Sequence, residues 1–164
     1  MLTSLGLWAY NTSVLNVVAH YGVPYLWVNF WLVLITLLQH TDTSLPHYDN
    51  ESWTWVKGAL CTVDRDYGLL NLIFHRIGDT HVVHHLFHEL PHYHALEATA
   101  HIKAVLGPFY RQDSTPIMKA LWSTFQTCVL VAPDPQSKGV FWWLNYREVR
   151  SYVCSKITQR KKAE

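Results

Sequence analysis

The stretch Val23-Pro-Tyr-Leu-Trp-Val-Asn-Phe-Trp-Leu-Val-Leu-Ile-Thr-Leu-Leu38 contains no charged residue. Its apolar residues fall on every side of a helix rather than on one stripe, so a helix here has no face suited to water. At 1.5 Å per residue the run is roughly 24 Å long, and extending it back through Tyr21 and the apolar residues before it brings it to the roughly 30 Å of a hydrocarbon core. A membrane-crossing helix is therefore expected, with Gly22 and Pro24 marking a break before it. No basic segment and no small-residue cleavage site frame residues 1–22, so a cleaved leader is not expected there.

The second constraint is histidine. Of eleven in the chain, seven lie between His75 and His94. His81-Val82-Val83-His84-His85 places three imidazoles at i, i+3 and i+4, on one helical face, where they can converge. Three neutral nitrogen ligands suit borderline transition metals such as iron, zinc or copper. The glutamate of a zinc-protease HExxH is missing, since residue 82 is Val. His40, directly after the apolar run, would be delivered to the membrane rim and could join the group. His47, Asp64 and Asp79 are candidates for supporting positions, where a carboxylate or second imidazole orients a ligand. His75, His88, His92, His94 and His101 read as surface or supporting residues. Pro91 is expected to take the chain out of helix before His92.

The rest of the chain reads as mainly helical. A helix interrupted by Gly58 and Gly68 is expected over 53–74, another from Glu97 to Leu106 ending at Gly107-Pro108, and a third over 115–131. Val140–Leu144 reads as a short strand or interfacial stretch. Eight Trp and nine Tyr fit a membrane–water boundary. The net charge of +1 gives no support to nucleic-acid binding. Three widely spaced cysteines form no disulfide framework and suit a reducing compartment. From Arg147 onward six Lys/Arg face two Glu, a basic tail.

These residues carry a resemblance. Tyr21-Gly-Val-Pro24, Gln39-His40-Thr41, Leu45-Pro46-His47-Tyr48, Thr62-Val63-Asp64-Arg65-Asp66-Tyr67-Gly68, Asp79-Thr80-His81-Val82-Val83-His84-His85-Leu86-Phe87, Pro91-His92-Tyr93-His94 and Lys138-Gly139-Val140-Phe141 resemble, in order, the C-terminal part of membrane-bound acyl-lipid fatty acid desaturases. The endoplasmic-reticulum Δ12 (oleate) type is most similar, and the ω-3 type shares much of the pattern. The resemblance implies a mainly α fold: a membrane-embedded helical fragment with a helical cytosolic cap region that carries the third histidine box. It divides the chain into membrane segments at 1–38, the C-terminal part of the desaturase domain at 39–145, and a basic cytosolic tail at 146–164. His81, His84 and His85 match the third box, and His40 matches the further histidine after the last membrane helix. Such enzymes hold a di-iron centre and use O2 and two electrons, commonly from cytochrome b5, to place a cis double bond in an acyl lipid. Related hydroxylases and acetylenases share this box.

The departures from the pattern set a further expectation. No first or second histidine box precedes His81, and Asp42 stands where plant oleate desaturases usually carry a second histidine. Four histidines cannot fill two irons, so the chain alone is expected to be inactive and to need a partner segment or chain, or else to be a non-enzymatic remnant that pairs with full-length desaturases. Lys161-Lys162 resembles a dilysine retrieval signal, consistent with an endoplasmic-reticulum membrane protein whose C-terminus is cytosolic.

Overall fold

The computed structural model describes residues 1–163, with side chains as far as Gln159. The dilysine pair Lys161 and Lys162 therefore lies outside the described side chains. Two compact units are present, Met1–Thr36 and the chain from Leu37 onward.

The first unit is helical apart from Met1 and the link at Thr12 and Ser13. It holds α1 (Leu2–Asn11), α2 (Val14–Val17), a π-helical turn (Val18–Gly22) and the larger part of α3 (Val23–His40). Ser13 starts α2 by accepting the Asn16 amide at 3.1 Å. The break expected at Gly22 and Pro24 is not there. The widened π turn lets the helix run on where the proline has no N–H to bond back. A continuous helical path from Val14 to His40 results, 27 residues long. That length, about 40 Å, exceeds a hydrocarbon core. Its length and composition suit a membrane crossing, and it is the one such helix among the described residues. Val23, Leu26, Trp27, Leu32 and Val33 point outward. Two polar side chains in its middle bond back to their own helix, Asn29 to the Tyr25 carbonyl and Thr36 to that of Leu32, both at 2.7 Å. These two polar groups need no water.

From Leu37 the fold remains mostly helical, with short strands between the helices. In order come β1 (His47–Tyr48), α4 (Trp55–Ala59), β2 (Asp64–Arg65), α5 (Leu70–Ile73), α6 (His81–Leu86), α7 (His92–Leu106), a 3-10 turn (Gly107–Phe109), β3 (Gln112–Asp113), α8 (Ile117–Thr127), β4 (Leu130–Pro133), β5 (Val140–Leu144) and α9 (Tyr146–Ala163). An antiparallel sheet runs β1-β5-β4, with His47 opposite Phe141 and Val131 opposite Trp143. β2 and β3 pair in parallel, Asp64 opposite Gln112.

Three boundaries differ from the sequence reading. The helix expected over 53–74 is two short helices separated by β2, because the Asp64 amide bonds to the distant Arg111 carbonyl and the Arg65 amide to that of Gly78 instead of to carbonyls four residues back. Pro91 begins a helix rather than ending one. It occupies the extended cap position (φ −60°, ψ 138°) before α7, where a missing N–H costs nothing. The third expected helix stops at Thr127 and passes into β4.

The core is unusual in its polarity. Leu38, Leu45, Val63, Val82 and Val83 are sealed from solvent, and so are Gln39, Thr62, Asp64 and Arg65. Buried polar groups persist only when paired, and these pairs build the site.

Candidate metal centre

A helix leaves its last carbonyls without partners. At the end of α3 the segment 61–65 takes them. The Val63 amide and the Thr62 hydroxyl both donate to the Gln39 carbonyl at 3.0 Å, and Arg65 Nε donates to that of Leu38 at 2.6 Å. Gln39 reaches on to the Gly78 carbonyl at 3.0 Å and the Tyr67 hydroxyl at 3.3 Å. A Cβ at Gly78 would lie 2.6 Å from the Tyr67 ring, so only glycine lets the two approach. Arg65 also pairs with Asp42 at 2.7 Å and with Asp113. The helix end that carries His40 is thereby clamped.

Opposite it stands α6. His81 Nε2 lies 3.2 Å from His40 Nε2, and His85 Nε2 lies 3.2 Å from His81 Nε2. The ligand atoms of His40, His81 and His85 all fall within 4.8 Å of one another, and this is the convergent group of potential ligands found among the described residues. The other ring nitrogens decide the chemistry. His40 Nδ1 is 3.2 Å from the Cys61 carbonyl and His81 Nδ1 is 3.0 Å from that of Ile77. A carbonyl only accepts, so Nδ1 carries the proton in both rings and Nε2 is left with a bare lone pair. A proton on His85 Nε2 could bridge to one neighbour only. A single cation satisfies all three, and imidazoles with the far nitrogen tied to backbone are the usual form of protein metal ligands. The residues present therefore fit a nitrogen-bound transition metal.

Electrostatics favours the same state. Burial, then the neighbouring His85, His40 and His84, push the His81 imidazole down to about 3. Burial, then His40 and His84, bring His85 down to about 4. Both rings are neutral at pH 7, the form that binds metal.

The other sequence candidates lie elsewhere. His84, on the same helix, is exposed; its ring centre is 5.5 Å from that of His81, and it lines a small hollow with His75 and His92. Asp64 is buried, and its carboxylate meets the backbone of α6 rather than an imidazole. Asp79 pairs with Arg76 at 2.7 Å. His47 packs edge-on against Trp143, ring centres 4.9 Å apart, in the β1–β5 sheet. Burial lowers its pKa. Sequence reasoning missed Tyr110, which donates to Asp64, and the carbonyls of Cys61 and Ile77. No side-chain pattern marks a carbonyl, so those two had no signal to find.

Comparison with known proteins identifies the family. The fatty acid desaturase family model matches residues 1–115. An endoplasmic-reticulum omega-6 fatty acid desaturase of Brassica juncea is 56% identical over 144 residues, 85% of this chain and 38% of the relative. Isozyme 2 of the corresponding Glycine max enzyme is 60% identical over 131 residues, 79% and 34%. An oleoyl-12-hydroxylase of Ricinus communis is 55% identical over 127 residues, 76% and 33%. The chain thus spans about a third of the length of the curated relatives it matches. With the family model covering most of its residues and the histidine box standing where a metal can be held, this chain belongs to the fatty acid desaturase family.

Proposed function

We propose that this chain is the C-terminal, metal-holding part of a Δ12-type acyl desaturase, which converts oleoyl to linoleoyl lipid in the endoplasmic-reticulum membrane with the C-terminus in the cytosol. The observation that carries the reading is the convergence of the Nε2 atoms of His40, His81 and His85, with two of the three rings fixed by backbone carbonyls. When bound, non-heme iron supplies the O2-dependent oxidation that an unactivated methylene requires and that acid–base side chains cannot perform. The protein's own work is orientation. α3 delivers His40, α6 delivers His81 and His85, and the clamp at 61–65 holds the first against the second. His84, facing the neighbouring hollow, serves the second metal position together with histidines from a segment or chain outside this one. Cytochrome b5 is the proposed electron donor. A hydroxylase outcome is the second reading, favoured by the 55% identity to the Ricinus communis oleoyl-12-hydroxylase.

The test is expression in a yeast that makes oleate but no linoleate. The chain alone should yield no new fatty acid and bind fewer than two irons. The chain joined to the N-terminal portion of the Brassica juncea relative should yield linoleate. Ricinoleate instead would establish the hydroxylase reading, and no product from a well-expressed, iron-loaded fusion would sink both.

A further inference from the structure

The helix that bears the histidine box is too short to secure itself. α6 has six residues, well below the length at which a helix stands on its own. Its first amides need partners, and the residues that carry them, His81, Val82 and Val83, are buried. The usual solution is a side-chain cap from the residue before the helix. Thr80 does not provide it, because its hydroxyl donates to the Arg76 carbonyl at 2.7 Å instead.

The cap comes from a distant strand. Asp64 Oδ1 accepts the Val82 amide at 2.8 Å. Oδ2 accepts the Tyr110 hydroxyl. Asp64 is 1% exposed, so these donors are its whole environment of hydrogen bonds in place of water. The two residues are brought together by backbone pairing, since the Asp64 amide donates to the Arg111 carbonyl at 3.0 Å and Asp64 stands opposite Gln112. Lys103 braces the arrangement from α7, lying 5.0 Å from the centre of the Tyr110 ring and donating to Gln112 at 2.6 Å.

We propose that Asp64 and Tyr110 form a latch that positions the metal-binding face of α6. His81 is the first residue of that helix, so loosening the first turn moves a ligand before it moves anything else. Asp64 and Tyr110 touch no imidazole; they act through the backbone, and their task rests on the metal reading above. A negative group at a helix start also suits the partial positive charge there.

The first test uses the unaltered chain in detergent micelles, free of metal. Hydrogen exchange should show the Val82 amide protected as well as those of central α7. Rapid exchange at Val82 would overturn the latch. The second test is Co(II) binding followed by visible absorption. Y110F, which removes one donor and keeps the ring, should retain its helical circular dichroism, weaken Co(II) about tenfold and shift the absorption bands, as loss of an outer support does. D64A should lose more, and D64N, which keeps an oxygen for the Val82 amide, should recover part of the loss. Folded Y110F and D64N with native affinity and bands would refute the positioning role. Should those variants fail to fold, the exchange result on the native chain decides. A native chain that takes up no Co(II) sinks the metal reading itself, whereas Co(II) uptake with a freely exchanging Val82 amide overturns the latch alone.

Discussion

Two groups of histidines adjoin at α6 and differ in almost everything except residue type. The inner group, His40, His81 and His85, has ligand atoms within 4.8 Å, and two of its rings are tied to carbonyls. The outer group, His75, His84 and His92, is exposed and lines a shallow hollow. His75 and His92 stand edge to face, ring centres 4.6 Å apart. His75 and Arg76 adopt left-handed backbone, φ 51° and 64°, held by the Arg76 amide on the Asn71 carbonyl at 2.7 Å. The difference teaches that closeness of rings does not make a ligand set. What sets the inner group apart is the convergence of its ligand atoms, with the tautomer of two rings fixed by a partner for the nitrogen that faces away from the metal.

The comparison breaks most decisively at His81. H81A should weaken Co(II) binding by more than about 100-fold, beyond the loss typical of an outer support. H75A should change it by less than about threefold, the scale of a surface substitution. Equal losses from both would erase the distinction between the groups. H84A sharpens it differently: in the isolated chain Co(II) affinity should stay near native, whereas in the fusion that restores the missing boxes linoleate should disappear.

The clamp comes next. Arg65 is 2% exposed and holds Asp42, Asp113 and the Leu38 carbonyl together. R65A strands two carboxylates and should destabilise the fold by about 3 kcal/mol, as removal of one member of a buried ion pair does. Chemical denaturation in detergent reads this directly. Replacing the set together, R65M with D42N and D113N, should recover much of it, because no charge is then left unpaired. A small loss in R65A would mean that His40 is held by something other than the clamp.

How much of this was legible in the sequence follows from the physics of each part. The HxxHH spacing gave His81 and His85 a common face, and the uncharged run placed His40 at a helix end. Both are local regularities, readable along the chain. His84 shares the same spacing, yet it faces the outer hollow. Spacing cannot rank three residues on one face without knowing what lies opposite. Asp64 was recognisable as a supporting carboxylate, but the expected partner was an imidazole and the observed one is the backbone of α6. Tyr110 was invisible, since its pairing with Asp64 spans 46 positions. β2 was missed for a similar reason: a two-residue strand has no periodicity and exists only through its pairing with β3.

A pH dependence follows from the inner group. His81 at about 3 and His85 at about 4 both lie below the ordinary imidazole value. In the unfolded chain the same rings take up protons below about pH 6.5. The stability of the metal-free fold is therefore fully present above that value and falls as pH drops from about 6.5 toward 4, because the unfolded state gains protons first. Denaturation midpoints measured at pH 7.5 and 5 should show the fall, and H81N should flatten it. A midpoint that rises on acidification would contradict a neutral, buried His81.

The smallest effect is expected at Cys61, beside the inner group. Its thiol lies 3.2 Å from the Pro46 carbonyl and 3.1 Å from the Lys57 carbonyl, either of which can accept its one hydrogen, while its backbone carbonyl receives His40 Nδ1. The part that matters to the metal site is therefore the main chain, which a substitution leaves in place. C61S keeps a donor of similar reach, so Co(II) affinity should change by less than about threefold, within the range of a mild substitution. A much larger loss would show that the thiol, and not the carbonyl, governs His40. The distinction between the two histidine groups would then rest on side-chain chemistry rather than on backbone partners for the far ring nitrogens.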